Sequence, residues 1–127
     1  MNVNPEQANG VLVLKPEGRI DGQNASDFQS SVMEAIADAQ GAVVADLGSI
    51  SYISSAGLRA ILLVAKTMRQ RNAGFALCSL SEQIDEVFRI SGFDKIIAVH
   101  GTRADAIASV AGWRSELSAG GNYPLDR

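Results

Sequence analysis

One cysteine, one histidine and one tryptophan among 127 residues leave little material for several kinds of chemistry. A single Cys78 excludes an intrachain disulfide. Its setting in the apolar stretch "FALCSL" predicts a buried, inert thiol. A reducing compartment fits that usage. One His and one Cys cannot supply a zinc site with its usual ligands. Neither a P-loop nor a G-x-G-x-x-G run is present, so neither of these phosphate-cradling motifs is available. No apolar run approaches the roughly 20 residues of a membrane span. The opening "MNVNPEQANG" has neither the charged region nor the apolar core of a signal peptide. A cytoplasmic protein without direct membrane binding is expected. The net charge of −3 offers no bulk attraction for nucleic acid or anionic lipid.

What is present is ordinary for a soluble globular chain: 46% apolar and 20% charged residues. The length suits one domain over residues 1–127, with a loose tail at 113–127 that ends in the turn formers "SAGGNYPLDR". "VLVLKPEGRI" reads as a strand, with Pro16 marking an edge, bulge or bend. "NASDFQSSVMEAIADAQG" reads as a helix capped by Asn24 and closed by Gly41, with Phe28, Val32 and Ile36 on one face. "AVVADL" is a short continuous apolar run, the pattern of a strand buried on both faces. Leu58, Ile61, Leu62, Ala65 and Met68 then recur at helical spacing, up to a stop at Gly74. "FALCSL" and "KIIAV" are further strands. Between them, Ser79 and Glu82 have capping-box spacing before a helix with Ile84, Val87 and Phe88 on one side, closed by Gly92. Thr102 and Asp105 open a last helix, with Ile107, Val110 and Ala111 turned inward. Alternation of this kind predicts an α/β fold: a mostly parallel mixed sheet of four to five strands, about four helices, and an antiparallel edge contributed by residues 3–20.

The junction "YISSAGLRA" at 52–60 stands out. In open α/β sheets, ligands gather at the carboxyl ends of strands. Ser54 or Ser55 there meets the positive end of a helix, where free N–H groups favour an anion. A phosphate of charge about −1.5 to −2 would be tolerated at that place and would alter the surface shown to a partner. A plain helix cap explains the same serines. Residues 47–81 contain no Asp or Glu but hold Arg59, Lys66, Arg69 and Arg71. Arg59 lies four positions after Ser55, within reach of a phosphate there or of an acidic partner. Lys66, Arg69 and Arg71 read as a solvated helix end.

A serine on a strand-to-helix turn also suggests the nucleophile elbow G-x-S-x-G of hydrolases. Gly57 is in place, but Ile53 occupies the position of the first glycine, and a triad would depend on His100 alone. No enzyme activity is expected.

Three blocks carry a family resemblance: "GRID" (18–21), "ADLGSISYISSAGLRAILLVAK" (45–66) and "ISGFDKII" (90–97). Together they resemble the STAS family, which joins sulfate transporters and anti-sigma factor antagonists, over a core of about residues 8–112. The resemblance implies an anti-sigma factor antagonist that regulates sigma-factor-dependent transcription by partner switching. Its implied partner is an anti-sigma factor that is also a serine kinase of the histidine-kinase-like ATPase fold, and a serine phosphatase resets the system. ATP and Mg would belong to the kinase, with no cofactor in this chain. The implied phosphoacceptor is Ser55, with Ser54 as the alternative. Asp21, Ser54, Ser55, Ala56, Gly57 and Arg59 form the implied partner-binding set. The chain departs from the best-known antagonists in having Ser54 where they carry aspartate, and Ala56 where they often carry a second serine. A fixed STAS subunit of a transporter or signalling scaffold is the other reading the resemblance allows.

Overall fold

The computed structural model describes residues 1–39 and 41–118, with side chains to Ala111. The strands are β1 (Glu6–Ala8), β2 (Val11–Leu14), β3 (Gly18–Ile20), β4 (Val43–Asp46), β5 (Ile50–Ile53), β6 (Phe75–Cys78) and β7 (Ala98–His100). The helices are α1 (Ala25–Ala37), α2 (Ser55–Gln70), α3 (Glu82–Ser91) and α4 (Arg103–Ser118), with a 3-10 turn at Phe93–Lys95. Five strands form one sheet in the order β1-β2-β4-β6-β7, while β3 and β5 pair in a separate ladder. β1 runs antiparallel at the edge and the other neighbours run parallel. The α/β expectation and its antiparallel edge are therefore met.

Side-chain alternation divides the core. Leu12, Leu14, Val43 and Leu77 face one layer, packed with Phe28, Val32, Ile61, Val64 and Phe88 of α1, α2 and α3. Val11, Val13, Val44, Ala76 and Cys78 face the other, under Ala106, Ile107 and Val110 of α4. Strands covered on both sides must be apolar throughout, which explains the unbroken runs of β2 and β6. Asp46 follows Val44 by two positions and so points to the α4 side. There its Oδ2 accepts from Arg103 Nε at 3.0 Å and its Oδ1 from the Gly48 amide at 2.9 Å. Arg103 Nη1 continues to Glu6 Oε2 at 2.9 Å, tying α4 to β4 and β1.

Several boundaries differ from expectation. "VLVLKPEGRI" is two strands. The chain bends at Lys15–Glu17 around Pro16 and leaves the main sheet. β5 was not expected, because "SISY" lacks an apolar run. Only its ends, Ile50 and Ile53, are buried. Asn24 precedes α1 but does not cap it with its side chain. Its Oδ1 accepts from the Asp21 amide and its Nδ2 donates to the Arg19 carbonyl, each at 2.8 Å. α1 ends at Ala37, before Gly41. α2 ends at Gln70, and Asn72 rather than Gly74 takes the left-handed turn, at φ 55°. α3 is capped by Ser81, whose Oγ accepts from Ile84 N at 3.3 Å, while Ser79 sits at φ 65°. Val87 is on the solvent side of α3. Arg71 is more than a solvated cation, since its Nη1 donates to the Ile36 carbonyl at 2.7 Å and closes α1. α4 continues to Ser118, into the stretch expected to be loose, and 119–127 lie outside the described residues. Gly92, left-handed at φ 81°, closes α3 as expected, and Thr102 Oγ1 accepts from Asp105 N at 3.1 Å to open α4.

Cys78 is fully buried. Burial pushes its thiol above the ordinary 9.0, opposed by a hydrogen bond with Ser79. Well below pH 9.0 both folded and unfolded chains keep the thiol neutral. As pH rises further the unfolded chain ionises first, so this contribution to stability is lost. The urea midpoint is expected to fall between about pH 8 and about pH 10 more steeply for the wild type than for Cys78→Ala. Equal slopes would refute this. The native thiol is also expected to resist iodoacetamide until urea unfolds the chain.

Candidate functional site

The 52–60 junction is built by the small ladder. β3 and β5 run parallel with Ile20 opposite Ile53, and the Ser54 amide donates to the Ile20 carbonyl at 2.8 Å. Ile20 and Ile53 are buried and anchor the two strand ends side by side. Asp21 and Ser54, the next residue of each strand, are therefore neighbours. Asp21 Oδ1 accepts from the amides of Gln23 and Asn24 at 3.0 and 3.2 Å, which fixes the turn into α1. Its Oδ2 lies 3.7 Å from Arg19 Nε. The Arg19 guanidinium stacks 4.4 Å from the centre of the Tyr52 ring, directly across the ladder. Arg19 and Tyr52 were not singled out in the sequence. Only the parallel register brings them together.

The two serines have separate roles. Ser54 is extended at φ −89° and ψ 173°, and its Oγ accepts from Gly57 N at 3.2 Å. Its carbonyl accepts from Leu58 N at 2.9 Å. Ser54 is thus the cap, satisfying one of the first-turn donors. Ser55 is the first helical residue and is exposed, with no hydrogen bond from its hydroxyl to any described residue. The amides of Ser55 and Ala56 have no carbonyl to meet within the helix and face the same end. α2 carries no acid in its first turn, so nothing there competes for those donors.

Gly57 is buried against the ladder. A Cβ added there would lie 2.8 Å from Ile20 Cγ2 and 2.8 Å from Ile53 Cγ1. The missing side chain is what lets α2 start so close to both strands. Gly57→Ala is expected to destabilise by about 1–3 kcal/mol through overpacking, outweighing the roughly 1 kcal/mol that alanine gains over glycine in a helix. Urea unfolding measures it, and a variant as stable as wild type would show that the contact yields.

Arg59 is exposed one turn beyond Ser55, and Ala56 is half-buried between them. The structure therefore gathers the whole expected set, Asp21 and Ser54 to Gly57 with Arg59, around one helix end. His100 is elsewhere: it ends β7 at the far edge of the main sheet, and its carbonyl accepts from Ser79 N at 3.2 Å. No bond joins it to Ser55, so the elbow reading has no base. Among the described residues no helix is long and apolar enough to cross a membrane.

Comparison with known proteins agrees with this architecture. The chain is 38% identical over 109 residues to BtrV of Bordetella bronchiseptica, a protein provisionally named as an anti-sigma factor antagonist, covering 86% of this chain and 94% of that one. It is 28% identical over 106 residues to the anti-sigma-F factor antagonist RsfB of Mycobacterium tuberculosis, covering 84% and 86%. A Thermotoga maritima crystal structure, provisionally assigned to the same class, superposes with a TM-score of 0.79 at 22% identity, covering 85% of this chain and 93% of that one. That likeness is one of fold. The STAS domain model matches residues 2–106, and the chain belongs to the STAS domain family.

Proposed function

We infer that this chain is an anti-sigma factor antagonist switched by phosphorylation of Ser55. Unmodified, it binds an anti-sigma factor that is a serine kinase of the histidine-kinase-like ATPase fold, and so frees a sigma factor. The Ser55 Oγ attacks the γ-phosphorus of the kinase's Mg-bound ATP. A new Oγ–P bond forms, the bond to ADP breaks, and the hydroxyl proton passes to a base of the kinase. The complex then separates, and a serine phosphatase hydrolyses the ester. The chain contributes binding and an acceptor, with no catalysis of its own.

The observation that carries this reading is the division of labour at the helix end. Ser54 supplies the cap, which leaves the exposed Ser55 hydroxyl unengaged beside two free amides. A phosphate there replaces no structural bond and meets the positive helix end. The relatives' names support the antagonist role. Asp21, held rigidly next to the loop, is read as a recognition group for the kinase. Incubation with the kinase and ATP is expected to phosphorylate the 52–59 peptide on Ser55, as read by mass spectrometry. Modification should persist in Ser54→Ala and vanish in Ser55→Ala. Modification of Ser54 instead would overturn the assignment.

A further inference from the structure

α1 and α2 leave an open groove of about 460 Å³ beside the Ser55 turn. On its α2 side it is lined by Ala56, Arg59, Ala60, Leu62, Leu63 and Lys66, with Gln29 lining it from α1. All but Leu62 fall at i, i+3, i+4, i+7 and i+10, one stripe about 15 Å long at about 1.5 Å rise per residue. Leu63 is 41% exposed, an apolar side chain held toward solvent. Arg59 and Lys66 are exposed on the same stripe, and neither forms an ion pair with a described residue. No carboxylate lines the groove, and α2 contains none. On a chain of net charge −3, this is a locally cationic strip with an apolar floor.

We propose that the groove receives an acidic amphipathic helix of the kinase, its apolar side on Ala60 and Leu63 and its carboxylates against Arg59 and Lys66. This rests on the reading of Ser55 as the phosphoacceptor. The stripe matches about ten residues of helix. Charge complementarity selects an acidic partner and speeds its approach. The groove also gives release a local cause. Ala56 places Ser55 at its mouth, and Arg59 is one turn along from Ser55. A phosphoryl charge of about −1.5 to −2 draws Arg59 toward itself and more than offsets that cation, leaving Lys66 at the far end of the strip beyond its screened reach. An acidic helix then meets a neutral or repelling mouth, where its end must pass.

The test uses the purified Ser55 kinase without ATP. Arg59→Glu/Lys66→Glu changes two exposed side chains, and circular dichroism should report a wild-type fold. Its Kd for the kinase is expected to rise about 100-fold. Leu63→Ser should raise it about 10-fold, through the apolar floor alone. Lys95→Glu, an exposed charge reversal outside the groove, should leave Kd unchanged. Added salt should weaken wild-type binding and strengthen that of the double variant, whose reversed charges repel the acidic helix until they are screened. Unchanged affinity in the double variant would overturn the proposal, as would a groove closed by a second copy of the chain in sedimentation experiments. If phosphorylation releases the kinase while the double variant binds as wild type, only the groove is refuted. If phosphorylation of Ser55 leaves binding intact, the switch itself is refuted.

Discussion

Ser55→Asp is expected to fold as wild type and to bind the kinase at least about 100-fold more weakly. The first half follows from position. A carboxylate at the first helical residue meets the positive end of α2, worth about 0.3–1 kcal/mol in favour of the folded state. No bond is lost, because the cap belongs to Ser54. Thermal unfolding should therefore show an unchanged or slightly raised midpoint. The second half follows from burying a new anion against a surface that accepts the unmodified hydroxyl, a like-charge or desolvation cost of several kcal/mol at an interface. Ser55→Ala is the counterpart: it should bind at wild-type strength and stay bound when ATP is added. Titration calorimetry for the first variant and gel filtration with ATP for the second read these outcomes. Tight binding by Ser55→Asp would end the switch model, and loss of fold in that variant would contradict the helix-end argument.

Arg103→Ala is expected to be a damaging substitution away from the site, costing about 2–3 kcal/mol in urea unfolding although Arg103 is partly exposed. Asp46 keeps only 8% of its side-chain surface exposed, and Arg103 is its one cationic partner among the described residues. Removing that partner strands a buried carboxylate, which typically costs about 3–5 kcal/mol. The figure is lowered here for two reasons. Arg103 is 29% exposed, so water screens part of the pair. Asp46 Oδ1 also retains the Gly48 amide. Asp46→Asn placed in the Arg103→Ala background should recover part of the loss, since a neutral amide keeps that bond without a charge to desolvate. Loss of less than about 1 kcal/mol in the single variant would mean the pair is a surface contact.

What could be read in advance divides along physical lines. Periodic apolar residues located α1, α2 and α4, and the unbroken runs located β4 and β6, because burial dictates residue type directly. At the 52–60 junction a helix cap was legible in the serines, but which of the two it is follows only from the structure, where Ser54 Oγ accepts from Gly57 N. Where the governing interaction is non-local, the chain is silent. Nothing in "GRI" or "ISYI" announces that these short segments leave the main sheet and pair with each other. Asn24 has the chemistry of a cap but is held by Asp21 and Arg19 instead. The left-handed turn after α2 falls on Asn72 although a glycine stands two residues later. The Asp46–Arg103 bond spans 57 positions and has no local signature. The groove is invisible for another reason. The absence of acids from 47–81 is plain, but only the packing of α1 on α2 turns that bias into a lined cleft.

The separate ladder has one more implication. β3 and β5 hold each other, and neither shares a rung with the five-stranded sheet. Ser55 thus starts its helix at the end of a ladder that joins the main sheet through side chains alone, with Ile20, Ile50 and Ile53 buried in the core the two share. An enzyme that modified a hydroxyl held at this junction would therefore meet it preformed, and its own pocket rather than the peptide would have to adapt.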